Sequence, residues 1–166
     1  MFALSGVMYL ARGIMDLGSP AYANAATLFD YTAVVTTTLW MVALGVAIAS
    51  LAITSSVGGA ARIVAWVPSA GLVIGGIANL LEDGFGVSAL GLLFGAGGGL
   101  AVVGLVALGV STLIDRRNER GIGVVLLLLG AAFTLPPFGR IAGVGILCLV
   151  MAYVLNGRAR VGDLRR

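Results

Sequence analysis

The residues able to do chemistry in this chain are few, and they gather at the ends of apolar stretches. Arg12 and Asp16 stand four residues apart, which puts both on one helical face. Asn79 and Asp83 repeat that spacing, Glu82 lies beside them, and Arg140 opens a later apolar run. A charge within hydrocarbon is costly, so such residues pair, snorkel to the interface or line a wet cavity. Two readings of the set stand. One is snorkelling and interhelical ion pairing near a membrane boundary. The other is a binding or proton-handling site opening outward, with two adjacent carboxylates tuning each other's protonation. Depth gives the first a definite form. Arg12 precedes Asp16 by four residues, and Asn79 precedes Asp83 by four. Equal depth then predicts that Arg12 pairs with Glu82 or Asp83 above Asn79.

Absences restrict the chemistry further. The chain has no His, so bis-imidazole haem ligation and His-metal sites are excluded. All ten basic residues are arginines, so no lysine can form a Schiff base. Cys148 is the single cysteine, which rules out an intrachain disulfide or a redox pair. No nucleophile–base pair, phosphate-binding loop or metal-ligand spacing is visible, so an intramembrane enzyme stands only as a third reading, and no cofactor or metal is expected.

The elements that must position these residues are membrane helices. Of 166 residues, 60% are hydrophobic and 10% charged, against about 25% charged in a soluble domain. Mean hydropathy is +1.10. The expected fold is an all-α bundle of six transmembrane helices at about 2–18, 33–55, 61–82, 86–114, 121–135 and 139–156. It forms one domain over 1–157, followed by an Arg-rich cytoplasmic tail at 158–166. The segment Ala21-Tyr22-Ala23 resembles a signal cleavage site, but Arg12 and Asp16 interrupt the preceding run and no basic region opens it, so 2–18 reads as a helix. Thr36, Thr37 and Thr38 can bond back to their own helix carbonyls or turn a polar face to a cavity. Pro68 should kink the third helix, and Pro136-Pro137 should end the fifth.

Charge sets the orientation. With both termini cytoplasmic, Arg62, Arg116, Arg117, Arg120, Arg158, Arg160, Arg165 and Arg166 lie inside, and only Arg12 and Arg140 lie at outer ends. These arginines sit beside apolar runs, which argues for topology and against a nucleic-acid footprint. Arg116, Arg117 and Arg120 could also hold anionic lipid. Arginine-only usage with abundant Ala, Gly and Val suggests a GC-rich bacterium and its inner membrane.

Glycine carries the packing signal. Gly71 and Gly75 align with Asn79 on one face, and Gly91, Gly95 and Gly99 recur every four residues. In a hairpin turning near 83–86, residues at equal depth sum to about 170. Gly75 should then meet Gly95, Gly71 should meet Gly99, and Asn79 should meet Gly91. These faces serve intrachain packing, self-association or contact with other membrane subunits. Two functions are compatible with them: an accessory or interaction subunit of a membrane assembly, or a small solute-binding or transporting bundle with an outward-facing polar site.

The topology has a direct test. With Cys148→Ser as background, single substitutions Ser19→Cys, Gly84→Cys, Asn118→Cys and Gly157→Cys are made in turn. An impermeant thiol reagent on intact cells should label the first two and spare the last two. Labelling at position 118 would reverse the orientation.

Overall fold

The computed structural model describes residues 1–18, 27–54, 57–115, 120–135 and 137–163, with side chains at 16–18, 137–141 and 158–163 outside the description. The described chain is all-helical. Three continuous segments are long and apolar enough to cross a membrane: Leu28–Ile53, Gly59–Gly84 and Ser88–Asp115. Shorter apolar helices cover Phe2–Met15, Arg120–Ala132 and Ala142–Gly157.

Helix α1 spans Phe2–Gly18 and α2 spans Leu28–Ile53. The start of α2 is fixed by a capping box. The Thr27 hydroxyl accepts from the Asp30 amide at 3.2 Å, and the Asp30 carboxylate accepts from the Thr27 amide at 2.9 Å. The helix therefore begins five residues before the expected 33. The next segment is broken into α3, Gly59–Val64, and α4, Trp66–Asn79. The break at Ala65 lies three residues before Pro68, whose ring leaves the Val64 carbonyl without its usual donor. Helix α4 then widens into a π-helical turn, Leu80–Gly84. After Gly86, at φ 74°, a short 3-10 turn, Ser88–Leu90, leads into α5, Gly91–Asp115.

Helix α6 spans Arg120–Ala132. Helix α7 begins at Pro137, a residue suited to a first helical position because its missing N–H has no partner to lose there. It runs on to Asp163. The expected end at 156 rested on Gly157, but one glycine costs only about 1 kcal/mol in a helix and does not terminate it. Pro136 and residues 164–166 lie outside the described residues.

Successive helices pack on one another and α1 packs on α7, so the bundle closes in the order α1, α2, α4, α5, α6, α7. Its centre is filled. Phe2 and Tyr9 from α1, Leu44 and Ile48 from α2, Leu105 and Leu108 from α5, Leu126 and Leu129 from α6, and Met151 from α7 belong to one buried apolar cluster. The outside is apolar as well, with Leu28, Ile63, Val103, Ile114 and Tyr153 among its exposed large side chains. An apolar shell around an apolar core is what a lipid solvent selects.

The hairpin of α4 and α5 packs through other glycines than its four-residue pattern indicates. A Cβ on Gly97 would stand 2.6 Å from the Gly71 carbonyl oxygen and 2.8 Å from the Gly75 nitrogen. Gly71 and Gly75 thus lie on the seam as expected, but their partner is Gly97. Gly95 and Gly99 have open space where a side chain would go, and Gly91 lies against the Glu82 carboxylate rather than Asn79. The seam on α5 is Gly97, Ala101, Gly104, Leu108 and Thr112, buried at spacings of three or four. Pro68 presses on Gly104, where a Cβ would come within 2.6 Å of the ring.

This separates the glycines by experiment. Gly97→Leu would force two backbones apart and should cost a few kcal/mol, about the scale of overpacking. Gly95→Leu and Gly99→Leu should leave the midpoint of thermal unfolding in detergent within about 2 °C of wild type, as surface changes do. Equal losses at 95 and 97 would refute the assignment of the seam.

A polar layer at the Asp83 end

The helices bring polar side chains together at the end of the bundle that carries Asp83. Helix α1 supplies Arg12, α2 supplies Thr37 and Thr38, and α4 with its π-helical turn supplies Asn79, Glu82 and Asp83. The Arg12 Nε donates to Thr37 Oγ1 at 2.7 Å. That hydroxyl in turn donates to the Ala33 carbonyl at 3.0 Å, so one threonine joins the arginine to the α2 backbone. The Arg12 guanidinium also acts electrostatically on Asp83.

Asn79 is only 4% exposed. Its Nδ2 donates at 3.4 Å to both the Val34 carbonyl and Thr38 Oγ1. Thr38 passes its own proton across the seam to the Gly76 carbonyl at 3.1 Å. Thr36 and Thr37 donate back within α2, at 2.7 Å and 3.0 Å, so of the three only Thr38 donates its proton to another helix. Gly76 permits this, because a Cβ there would meet the Thr38 carbonyl and Met41 at 3.2 Å. One level deeper, the Ser69 hydroxyl donates to the Gly45 carbonyl at 2.8 Å.

The π-helical turn determines where the carboxylates point. A π turn inserts one residue into the helical repeat and re-aims side chains, and such turns recur at functional sites. Here it directs Glu82 onto α5, against Gly91, and leaves Asp83 within the field of Arg12. Asp83 is one of the two partners expected for Arg12, and the arginine's charge acts on it. The turn is closed by the Gly86 amide donating to the Glu82 carbonyl at 2.9 Å and the Val87 amide to the Leu81 carbonyl at 3.0 Å.

Beneath the polar layer lies an aromatic floor that sequence reasoning missed. Tyr9 and Trp40 meet edge to face with ring centroids 4.3 Å apart. Trp40 stacks on Phe133 at 5.9 Å, and Tyr9 approaches Phe133 at 6.4 Å. Tyr9 is one turn before Arg12 and Trp40 one turn after Thr37, so the floor sits one turn deeper on both helices. No local spacing signals a trio drawn from α1, α2 and the turn that follows α6.

Of the remaining expected site residues, the side chains of Asp16 and Arg140 lie outside the described residues, as do Arg116 and Arg117 entirely. Arg120 is exposed at the start of α6. Among the described residues no group of three or more His, Cys, Asp or Glu could hold a metal ion. Scans against protein-family models, curated proteins and solved structures returned no match.

The layer predicts a rescue. Arg12→Ala would strand Asp83 without its compensating charge and should lower the unfolding midpoint. Asp83→Asn in that background should recover part of the loss. Thr37→Val should cost about 1 kcal/mol, the usual net value of one hydrogen bond. Additive losses for Arg12→Ala and Asp83→Asn would show that the two do not interact.

Proposed function

We propose that this chain is a six-span integral membrane protein with both termini in the cytoplasm, acting as an accessory or interaction subunit of a membrane assembly. The arginine distribution supports the orientation, and a bacterial inner membrane suits the composition. The observation that carries the functional reading is the uncovered flank of α5. Only a third of its apolar span is buried, against more than half of α2. Leu92 is 87% exposed and Val103 68%, and between them Gly95, Gly98 and Gly99 face open space. A flat glycine-bearing helix face allows another helix to approach closely in lipid, where packing rather than water exclusion drives association. The polar layer supports the same reading, since Arg12, Thr37, Thr38 and Asn79 engage partners within the chain.

The test is native mass spectrometry of the protein released gently from its membranes. The expected result is a complex with further subunits that Gly95→Leu and Gly99→Leu dissociate while the chain itself stays folded. A lone chain, or a complex indifferent to both substitutions, would refute the proposal. The second reading, a solute-binding bundle open at the Asp83 end, is favoured by the π-helical turn that carries Glu82 and Asp83. It predicts a bound small molecule in the same spectra, lost on Asp83→Asn.

A further inference from the structure

Charged groups from four helices mark one boundary at the end of the bundle opposite Asp83. The Asp115 carboxylate, at the end of α5, caps α3 by accepting from the Ala61 amide at 3.3 Å. Arg62 of α3 donates from Nε to the Ala52 carbonyl, in the last turn of α2, at 3.0 Å. Arg120 opens α6 and is exposed. Helices α2, α3, α5 and α6 thus start or stop together there.

At the other end α6 falls short. It stops at Ala132 after 13 residues, a length of about 20 Å against a hydrocarbon core of about 30 Å. Two contacts show where it stops. A Cβ on Gly130 would stand 2.9 Å from the Val106 side chain and 3.3 Å from that of Leu105, near the middle of α5. Helix α5 continues from Leu105 to Gly91, about 20 Å farther. Phe133, the first residue past α6, stacks on Trp40, which lies midway along the 28–53 span of α2.

The backbone at this level is not helical. The Thr134 amide donates to the Ala131 carbonyl at 3.0 Å, and the Leu135 amide to the Ala132 carbonyl at 3.2 Å. The Phe133 carbonyl lacks both amides that would ordinarily reach it, because residues 136 and 137 are prolines. Thr134 and Leu135 are exposed, and Arg140 follows in the first turn of α7. Irregular backbone exposed to lipid does not occur within hydrocarbon. The space beside this turn is also open sideways, since nothing among the described residues comes within 4 Å of a Cβ placed on Gly95, Gly98 or Gly99.

We propose that the end of α6 is a bilayer-thinning surface: the leaflet at the Asp83 end is drawn down over it, bringing headgroups and water to the 133–135 turn. Matching a short apolar length by thinning the bilayer costs less than leaving polar backbone in hydrocarbon. The proposal requires only that α2 and α5 cross the membrane. Neither the orientation nor a partner on the α5 flank enters it.

Single cysteines at two positions of one depth test it in the full chain, with Cys148→Ser as background. Thr134→Cys reports the turn. Leu39→Cys reports α2 beside Trp40, where the side chain is 46% exposed on the far side of the ring of helices. The purified protein is placed in phosphatidylcholine vesicles with palmitoleoyl chains, and a charged thiol reagent is supplied to both faces. Thr134→Cys should react about tenfold faster than Leu39→Cys, because a thiol in apolar surroundings does not ionise. In thicker vesicles with erucoyl chains the rate at 134 should fall about tenfold, since compression costs more as the mismatch grows. Slow labelling at both positions would place the turn in hydrocarbon and overturn the proposal. Fast labelling at both would put the whole level in water and overturn it equally. A fast rate at 134 that ignores bilayer thickness would show a fixed aqueous cleft in place of a thinned leaflet. If Thr134→Cys does not fold, Leu135→Cys decides by the same readings.

Discussion

Close approach of helix backbones is the constraint on which this structure depends. In lipid, apolar side chains gain little by leaving the solvent, so helices are held by dispersion between surfaces that fit. The seams show how the fit is obtained. Gly6 lies against Gly145 and Cys148, Gly45 against Ser69, Gly97 against Gly71 and Gly75, and Gly109 against Leu127 and Gly123. At each, a methyl group would come within 3.0 Å of a neighbouring atom. The α1–α2 contact is made differently. It joins Ser5 to the Trp40 carbonyl at 3.2 Å and Arg12 to Thr37, with Tyr9 and Trp40 packed between them.

Close approach also explains the polar chemistry. A side-chain hydroxyl reaches a neighbouring helix carbonyl most readily where the two backbones nearly touch. The Thr38 bond ends on Gly76 and the Ser69 bond ends on Gly45, both glycines. Buried hydroxyls that do not cross are satisfied within their own helix, as Thr112 is by the Leu108 carbonyl at 2.8 Å. The polar layer is thus an extension of the α2–α4 seam toward Arg12 and Asp83, built by the same short helix separation.

Much of this was legible in the sequence because hydropathy and glycine are local signals. The apolar runs located the three long spans, and the four-residue spacing of Gly71 and Gly75 put them on one face. The start of α2 was also written there, in Thr27 and Asp30, but a bonded pair three residues apart is easily taken for loop polarity. The partner glycine was not legible. Equal-depth arithmetic assumes a regular hairpin, and the π-helical turn at Leu80–Gly84 with the 3-10 turn at Ser88–Leu90 adds irregular rotation on both sides of the bend. A rotation of one or two residues is enough to replace Gly95 and Gly99 by Gly97. The Asp115 cap and the Tyr9–Trp40–Phe133 floor were equally hidden, since their parts lie on separate elements and no sequence spacing relates them.

The exchange of seam glycines leaves a cost that the chain itself does not offset. Each glycine in a helix interior is less favourable than alanine by about 1 kcal/mol. At Gly97 and Gly104 that cost is met by contacts no larger residue could make. At Gly95, Gly98 and Gly99 nothing among the described residues comes within 4 Å, so alanine would fit and would stabilise the helix. Three openings on the least covered of the long spans therefore do nothing for the isolated fold. On the function proposed above, their use is to admit a surface from outside it, since an approach closer than a methyl group allows is one that lipid chains do not require and another helix does. On that same proposal, the α5 flank is the complement of the internal seams: the same device, with its second half supplied by another chain.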